Sequence, residues 1–160
     1  MAVSILNIDD FESDDFNIIA IHTSLEAYKL AYQINKHCQI SLALEPTPLT
    51  LSKFDINTSF DFFKYEDNDQ RVIWSLISNK SIISSTCHYT DNLGWIETNI
   101  YSDIILIPEC QAINFFIKIE ESVAPEHLNS ILNDLKKIND IEAIYEINKN
   151  TLVSIKNLLF

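Results

Sequence analysis

Few side chains in this sequence have a type and spacing that could do chemistry. Glu109 and Cys110 put a carboxylate beside a thiol, and His37-Cys38 and Cys87-His88 are the other adjacent pairs of ligand-type residues. No CxxC or HxxxH spacing joins them, so they read as small core residues and not as a zinc site. A nucleophilic Cys110 would need a positioned base and an amide-rich oxyanion turn, and neither is written around it. His22, followed by Thr23 and Ser24, reads as a capped turn. The acids Glu66, Asp67 and Asp69 could attract Ca²⁺. They lack the ~12-residue loop with its central glycine and are expected at a solvated hairpin tip. Trp74, Trp95, Tyr65 and Tyr89 could line a pocket or an interface, although core packing is the default for aromatics in strands.

Glu109 is the residue most worth following. Pro108 ends the apolar run Ile104-Ile105-Leu106-Ile107 by removing a ladder donor and turning the chain. Glu109 then falls in a short connection between two strands. A carboxylate there can accept from the amides of residues 111 and 112 or pair with a cation. Arg71, the only arginine, is the expected bidentate partner. The competing role for Glu109 is catalysis or ligand binding, with Arg71 or His88 as its helper.

The elements that must position these residues follow from periodicity. Residues 16–22 predict a strand. Thr23 and Glu26 have capping-box spacing for a helix whose buried face takes Leu25, Ala27, Tyr28, Leu30, Ala31, Tyr32 and Ile34. Residues 40–44 alternate as a strand stopped by Pro46 and Pro48. Residues 60–65 and 71–78 predict a hairpin across the acidic stretch 66–70. Residues 79–102 are polar, hold Gly94, and read as irregular, with a short strand or turn near Trp95-Ile96. Strands follow at 104–107 and 113–120. Pro125 opens a helix carrying Leu128, Ile131, Leu132, Leu135 and Ile138; a strand at 143–147 and a helical tail at 151–159 complete the chain.

The expected architecture is α+β, a single mixed or antiparallel sheet with helices packed mainly on one face, in the order β-α-β-β-β-β-β-α-β-α. Residues 9–15 hold five acids and no base, so residues 1–15 are expected to form an acidic disordered leader to a single domain over 16–160.

The stretch Ile107-Pro108-Glu109-Cys110-Gln111-Ala112-Ile113-Asn114-Phe115 resembles the signature of the IPExxxVDY family, an uncharacterised group of small bacterial proteins. Ile-Pro-Glu stands intact at 107–109. Val-Asp-Tyr is represented by Ile113, Asn114 and Phe115 at the matching spacing. The stretch 24–36 is similar to the family's first helix in its aromatic and basic pattern, and the resemblance covers most of residues 15–160. It implies a bacterial origin and no particular activity. If the Asp and Tyr of that pattern formed an acid/base pair, Asn114 and Phe115 would have lost both titrating groups, which favours structural roles for these positions.

Composition bounds the function. The 160 residues carry 23 acids and 11 bases, a net charge of -12, while residues 127–160 balance four of each. Such a chain lacks the clustered Lys/Arg that nucleic acid or anionic membranes require. With one glycine, neither a P-loop, a GxGxxG turn nor a GxSxG elbow can be written. The start has no basic and apolar pattern of a signal peptide, no run approaches a membrane span, and three scattered cysteines fit a reducing compartment. The expectation is a cytoplasmic, non-catalytic acidic interaction protein with no metal and no cofactor, a basic protein partner and a homodimeric option. A small-ligand regulatory module is the alternative, through the β-α-β stretch 113–147, and an enzyme built on Glu109 is the third reading.

Overall fold

The computed structural model describes residues 16–53, 56–91, 94–121 and 123–160; the acidic stretch 1–15 lies outside them. Its centre is a six-stranded sheet in which every adjacent pair is antiparallel. The strands are β1 (Phe16–Thr23), β2 (Ala43–Leu44), β5 (Phe62–Asp67), β6 (Val72–Ser78), β9 (Phe115–Glu120) and β10 (Ile141–Ile147), in the order β10-β1-β9-β6-β5-β2. Helix α1 (Ala27–Cys38) leaves β1, and the chain returns to the sheet with β9 between β1 and β6. Helix α2 (Pro125–Leu135) likewise carries β9 over to β10, with β1 between them. The four strands β10-β1-β9-β6 therefore have the split β-α-β arrangement twice over. This is the α+β class that the sequence predicts.

Alternation along the strands sorts the core onto two faces. Ile19, Ile21, Trp74, Leu76, Ile117 and Ile119 face α1 and α2, which contribute Leu30, Ala31, Ile34, Leu128, Ile131 and Leu135. On the opposite face, with Ile18, Ala20, Ile77 and Phe116, no α-helix of the described residues packs. Leu106, Ile107, Ile113, Leu152, Leu158 and Phe60 cover it instead. They come from a 3-10 turn at Pro108–Cys110 and its flanks, two 3-10 turns at Lys149–Thr151 and Ile155–Leu158, and a hairpin of β3 (Leu49–Lys53) and β4 (Ile56–Phe60). Lys118 points to this second face and is buried. Its ammonium lies 2.9 Å from Glu120 and over the rings of Phe16 and Phe160, so aromatic faces replace part of its lost hydration.

Several local expectations change. Residues 79–102 are not irregular: β7 (Lys80–Asp91) and β8 (Gly94–Ile105) form a two-stranded ribbon, paired from Lys80↔Ile105 to Asp91↔Gly94. No capping box opens α1. The Thr23 hydroxyl accepts from the Leu25 amide and donates to the Asp140 carbonyl, while Glu26 itself takes the N-cap position. The buried stripe of α1 is narrower than expected, leaving Tyr28 and Tyr32 more than half exposed. Residues 40–44 yield only the two-residue β2, residues 104–105 belong to β8, and the tail folds as 3-10 turns without an α-helix. Asn148 caps the first of these turns by accepting from the Asn150 amide, a local bond of the kind that competes with regular helix. No described helix is long and apolar enough to cross a membrane.

Candidate functional site

Two neighbouring features gather at the end of the sheet where β6 stops and β9 begins. The first is a polar hub centred on Asn79, the residue between β6 and β7. Its amide donates to the Asn114 carbonyl, and its carbonyl accepts from the Leu106 amide. Its side-chain oxygen accepts from the Ile107 amide at 2.8 Å, and its Nδ2 donates to the carbonyls of Ile113 and Cys110 at 2.9 and 3.0 Å. Asn79 is fully buried, and these five bonds occupy both its backbone groups and both polar atoms of its amide. They close three chain passages onto one another: out of β6, out of β8, and into β9.

The predicted motif residues stand around this hub. Ile107 and Ile113 are buried in the second-face core. Pro108 starts the 3-10 turn, whose Cys110 amide donates to the Ile107 carbonyl. Asn114 reaches the opposite way: its Oδ1 accepts from the Thr23 amide at 3.0 Å and from His22 Nδ1 at 2.8 Å. Because the Thr23 N–H fixes an oxygen at that position, His22 Nδ1 must be the donor. The other ring nitrogen of His22 faces Glu142 at 2.9 Å. Phe115 is buried on the helix face.

Glu109 does not meet Arg71. Arg71 sits in the β5–β6 turn, exposed and with φ of 57°, at the end of β6 where Ile73 pairs with Glu120. Glu109 lies beyond the other end, where Ser78 pairs with Phe115. The length of the strands, roughly 17 Å, separates them. Nor does His88 help: it is eight residues along β7 from the ribbon base, roughly 26 Å away. The Glu109 carboxylate instead accepts from the Ser154 amide at 2.6 Å. Partial burial pushes its carboxyl up. Bonds from its own amide, from the amide and hydroxyl of Ser154 and from the Val153 amide outweigh this and hold it below the usual carboxylate range. Glu109 thus ties the tail to the 3-10 turn, alongside Asn157, whose Nδ2 donates to the Leu106 carbonyl at 2.7 Å.

The second feature is a cleft of about 510 Å³ between the start of α1 and the ends of β5, β6 and β9. Tyr28, Leu44, Phe63 and Phe115 supply apolar and aromatic walls, and Glu26 and Asp61 supply carboxylates. Tyr28 and Leu44 are each 61% exposed. Lys29 already shows what this chemistry attracts. Its ammonium lies 2.9 Å from Glu26 and 5.5 Å from the centre of the Tyr28 ring. Of the lining residues, only Phe115 belongs to the motif that the sequence marks as a candidate site. The rest were not recoverable because Tyr28 reads as core by periodicity and β2 is too short to announce an exposed Leu44.

The thiols are poorly placed for chemistry. Burial, then the Asp134 charge, pushes Cys38 up to about 12. Burial and the Glu109 carboxylate raise Cys110. Both changes lower the fraction of reactive thiolate. The side chains of Cys87, Tyr89 and Trp95 lie outside the description, and Trp74 packs in the helix-face core. Among the described residues, no three His, Cys, Asp or Glu side chains converge to hold a metal ion. No family model matches the chain, and neither a curated protein nor a solved structure does.

Asn79→Ala should destabilise the protein by about 3 kcal/mol, because it strands the Ile107 amide and two carbonyls in the core. Thermal denaturation should show this as a fall of roughly 6–12 °C. For Glu109→Ala the difference should depend on pH. The carboxyl's folded pKa lies below its ordinary 4.5, so the wild-type advantage is full above that value. It disappears as pH falls through the lowered one. Chemical denaturation of both proteins across pH 2–7 checks the sign; an advantage that grows toward low pH contradicts it.

Proposed function

We propose that this chain is a non-catalytic, cytoplasmic accessory protein of the IPExxxVDY type, which binds a basic protein segment in the cleft beside α1. The observation that carries this reading is the cleft's composition. Aromatic and leucine walls stand next to Glu26 and Asp61, with a lysine of the chain itself resting on the Glu26–Tyr28 corner. A partner's Lys or Arg can take the same position as Lys29, placing its charge on the carboxylates and its stem along Tyr28 and Leu44. Exposed ion pairs such as Lys29–Glu26 are worth little, so the exchange costs little. The net charge of -12 adds attraction at long range and speeds encounter with a cationic partner.

A short fluorescein-labelled Lys/Leu peptide, titrated by anisotropy, tests the site. Reversing Glu26 and Asp61 together to Lys should weaken binding about tenfold, or about 1.4 kcal/mol, and added salt should weaken the wild-type complex. Lys29→Gln should tighten it. Glu121 and Glu126 lie at the far end of the sheet, and the same reversal there should change affinity less than about twofold. Equal losses from the two double variants would assign the binding to overall charge and remove the cleft from the proposal.

One observation favours a second reading, a small-ligand regulatory module. A separate pocket of about 250 Å³ lies between the β5–β6 turn and α2, walled by Val72, Trp74, Val123 and Ile131, with Gln70, Glu121 and His127 at its polar edge. A ligand held there must raise thermal stability. A shift screen against free amino acids and nucleotides at millimolar concentration should give a stabiliser on this reading, and a blank screen removes it.

A further inference from the structure

The β7–β8 ribbon presents an unusual surface. In the described structure β8 pairs only with β7, so one of its edges carries backbone donors and acceptors outside any sheet ladder. A two-stranded ribbon is marginal by itself in water and gains stability from a third strand or from packing. Near its base, Ser81 Oγ donates to the Ser59 carbonyl of β4; that contact is on the β7 side. Farther out, Ile82 is 69% and Tyr101 68% exposed. A long free edge with apolar neighbours is a template for another strand, and proteins that do not use such an edge guard it with charge. The β10 edge of the main sheet is guarded in this way by Glu142 and Glu146.

The sequence of β8 names the strand that fits. The heptad Trp95-Ile96-Glu97-Thr98-Asn99-Ile100-Tyr101 reads the same in both directions by chemistry: aromatic, isoleucine, polar, threonine, polar, isoleucine, aromatic. We propose that the free edge of β8 pairs antiparallel with β8 of a second copy of this chain, about a two-fold axis through Thr98. That register sets Thr98 opposite Thr98, Glu97 opposite Asn99, Ile96 opposite Ile100 and Trp95 opposite Tyr101. Positions directly opposite share a sheet face, and the two-fold keeps the two copies' faces on the same side. No charge stands directly opposite a like charge in this register. The neighbouring register about Ile100 fails this test, because it sets Glu97 opposite Asp103. The result is a four-stranded sheet, β7-β8-β8-β7, with isologous symmetry.

The pairing makes one position self-adjacent, which a cysteine can report. Opposed residues in an antiparallel pair have Cα atoms about 4.5–5.5 Å apart, inside the range a disulfide spans. In the full chain with Cys38, Cys87 and Cys110 replaced by serine, Thr98→Cys should oxidise to a covalent dimer of doubled mass on a non-reducing gel. Thr90→Cys, far from the axis, should remain a monomer. A charge series reads the same register in sedimentation velocity. Asn99→Glu faces Glu97 of the other copy and should weaken the dimer, and adding Glu97→Lys should restore it. Circular dichroism of each variant separates dissociation from misfolding. A wild-type chain that sediments at 18.4 kDa at tens of micromolar overturns the proposal. So does a dimer in which Thr98→Cys fails to crosslink, or one that Asn99→Glu leaves unchanged; a heterologous strand or another face would then be the occupant.

Discussion

The fold rests on the way one buried asparagine is satisfied. A chain that leaves β6, makes a 26-residue excursion through β7 and β8 (Lys80–Ile105), and re-enters the sheet as β9 must bury backbone groups where its passages cross. Buried carbonyls and amides without partners cost free energy on the scale of a hydrogen bond each. Asn79 meets that demand from one point, with two donors and one acceptor on its side chain and one of each on its backbone. An acid at 79 would lack the donors for Cys110 and Ile113. A serine would lack the reach and the second polar atom. Since Leu106, Ile107 and Ile113 are core residues of the helix-free face, the hub also decides whether that face is covered at all.

The two faces of the sheet are stabilised by different means, and the difference explains the tail. Amphipathic helices cover one face with regular stripes. The other is closed by the β3–β4 hairpin and short 3-10 turns that satisfy only part of their own backbones, so polar side chains complete the connections: Glu109 to Ser154, Asn157 to Leu106, Asn148 to Asn150. Lys118 is buried on this face, with its ammonium over the rings of Phe16 and Phe160. Beside it in the ladder is Ser75, whose buried hydroxyl finds no hydrogen-bond partner among the described residues. A polar pair on a core face weakens the hydrophobic term, and cation–π contact with the Glu120 ion pair offsets part of that loss.

The sequence discloses the elements that are most deeply buried. Strands β1, β6 and β9 are buried on both faces and show as near-continuous apolar runs, while helix α2 keeps period 3.6 and Pro125 marks its start. The ribbon is invisible for the complementary reason. The described ribbon side chains beyond its base are mostly exposed and impose no alternation, so 79–102 reads as polar and irregular although it is rich in β-branched residues. The Arg71–Glu109 pairing fails because charge complementarity in sequence says nothing about register. Once β6 and β9 are aligned, the two residues belong to opposite ends of the sheet. The hub itself carried a faint signal, an asparagine between two strands, but its partners lie 27 to 35 positions away.

The roles at 114 and 115 follow from geometry without titration. Position 114 must offer an oxygen to the Thr23 amide and to His22 Nδ1 while its own amide donates to the Ile21 carbonyl. Asparagine and aspartate both present that oxygen. Asparagine does so without placing a charge in a half-buried site where Glu142 already faces the far side of the same imidazole. Position 115 holds an apolar ring that packs in the helix-face core and still forms a wall of the cleft. A proton-transfer role would demand the opposite, a group that changes charge near neutral pH within reach of a substrate. The stretch 107–115 is therefore best understood as the joint that sets the end of β9 against β1 and the ribbon. Its chemistry lies in where it holds the cleft and the ribbon relative to the sheet.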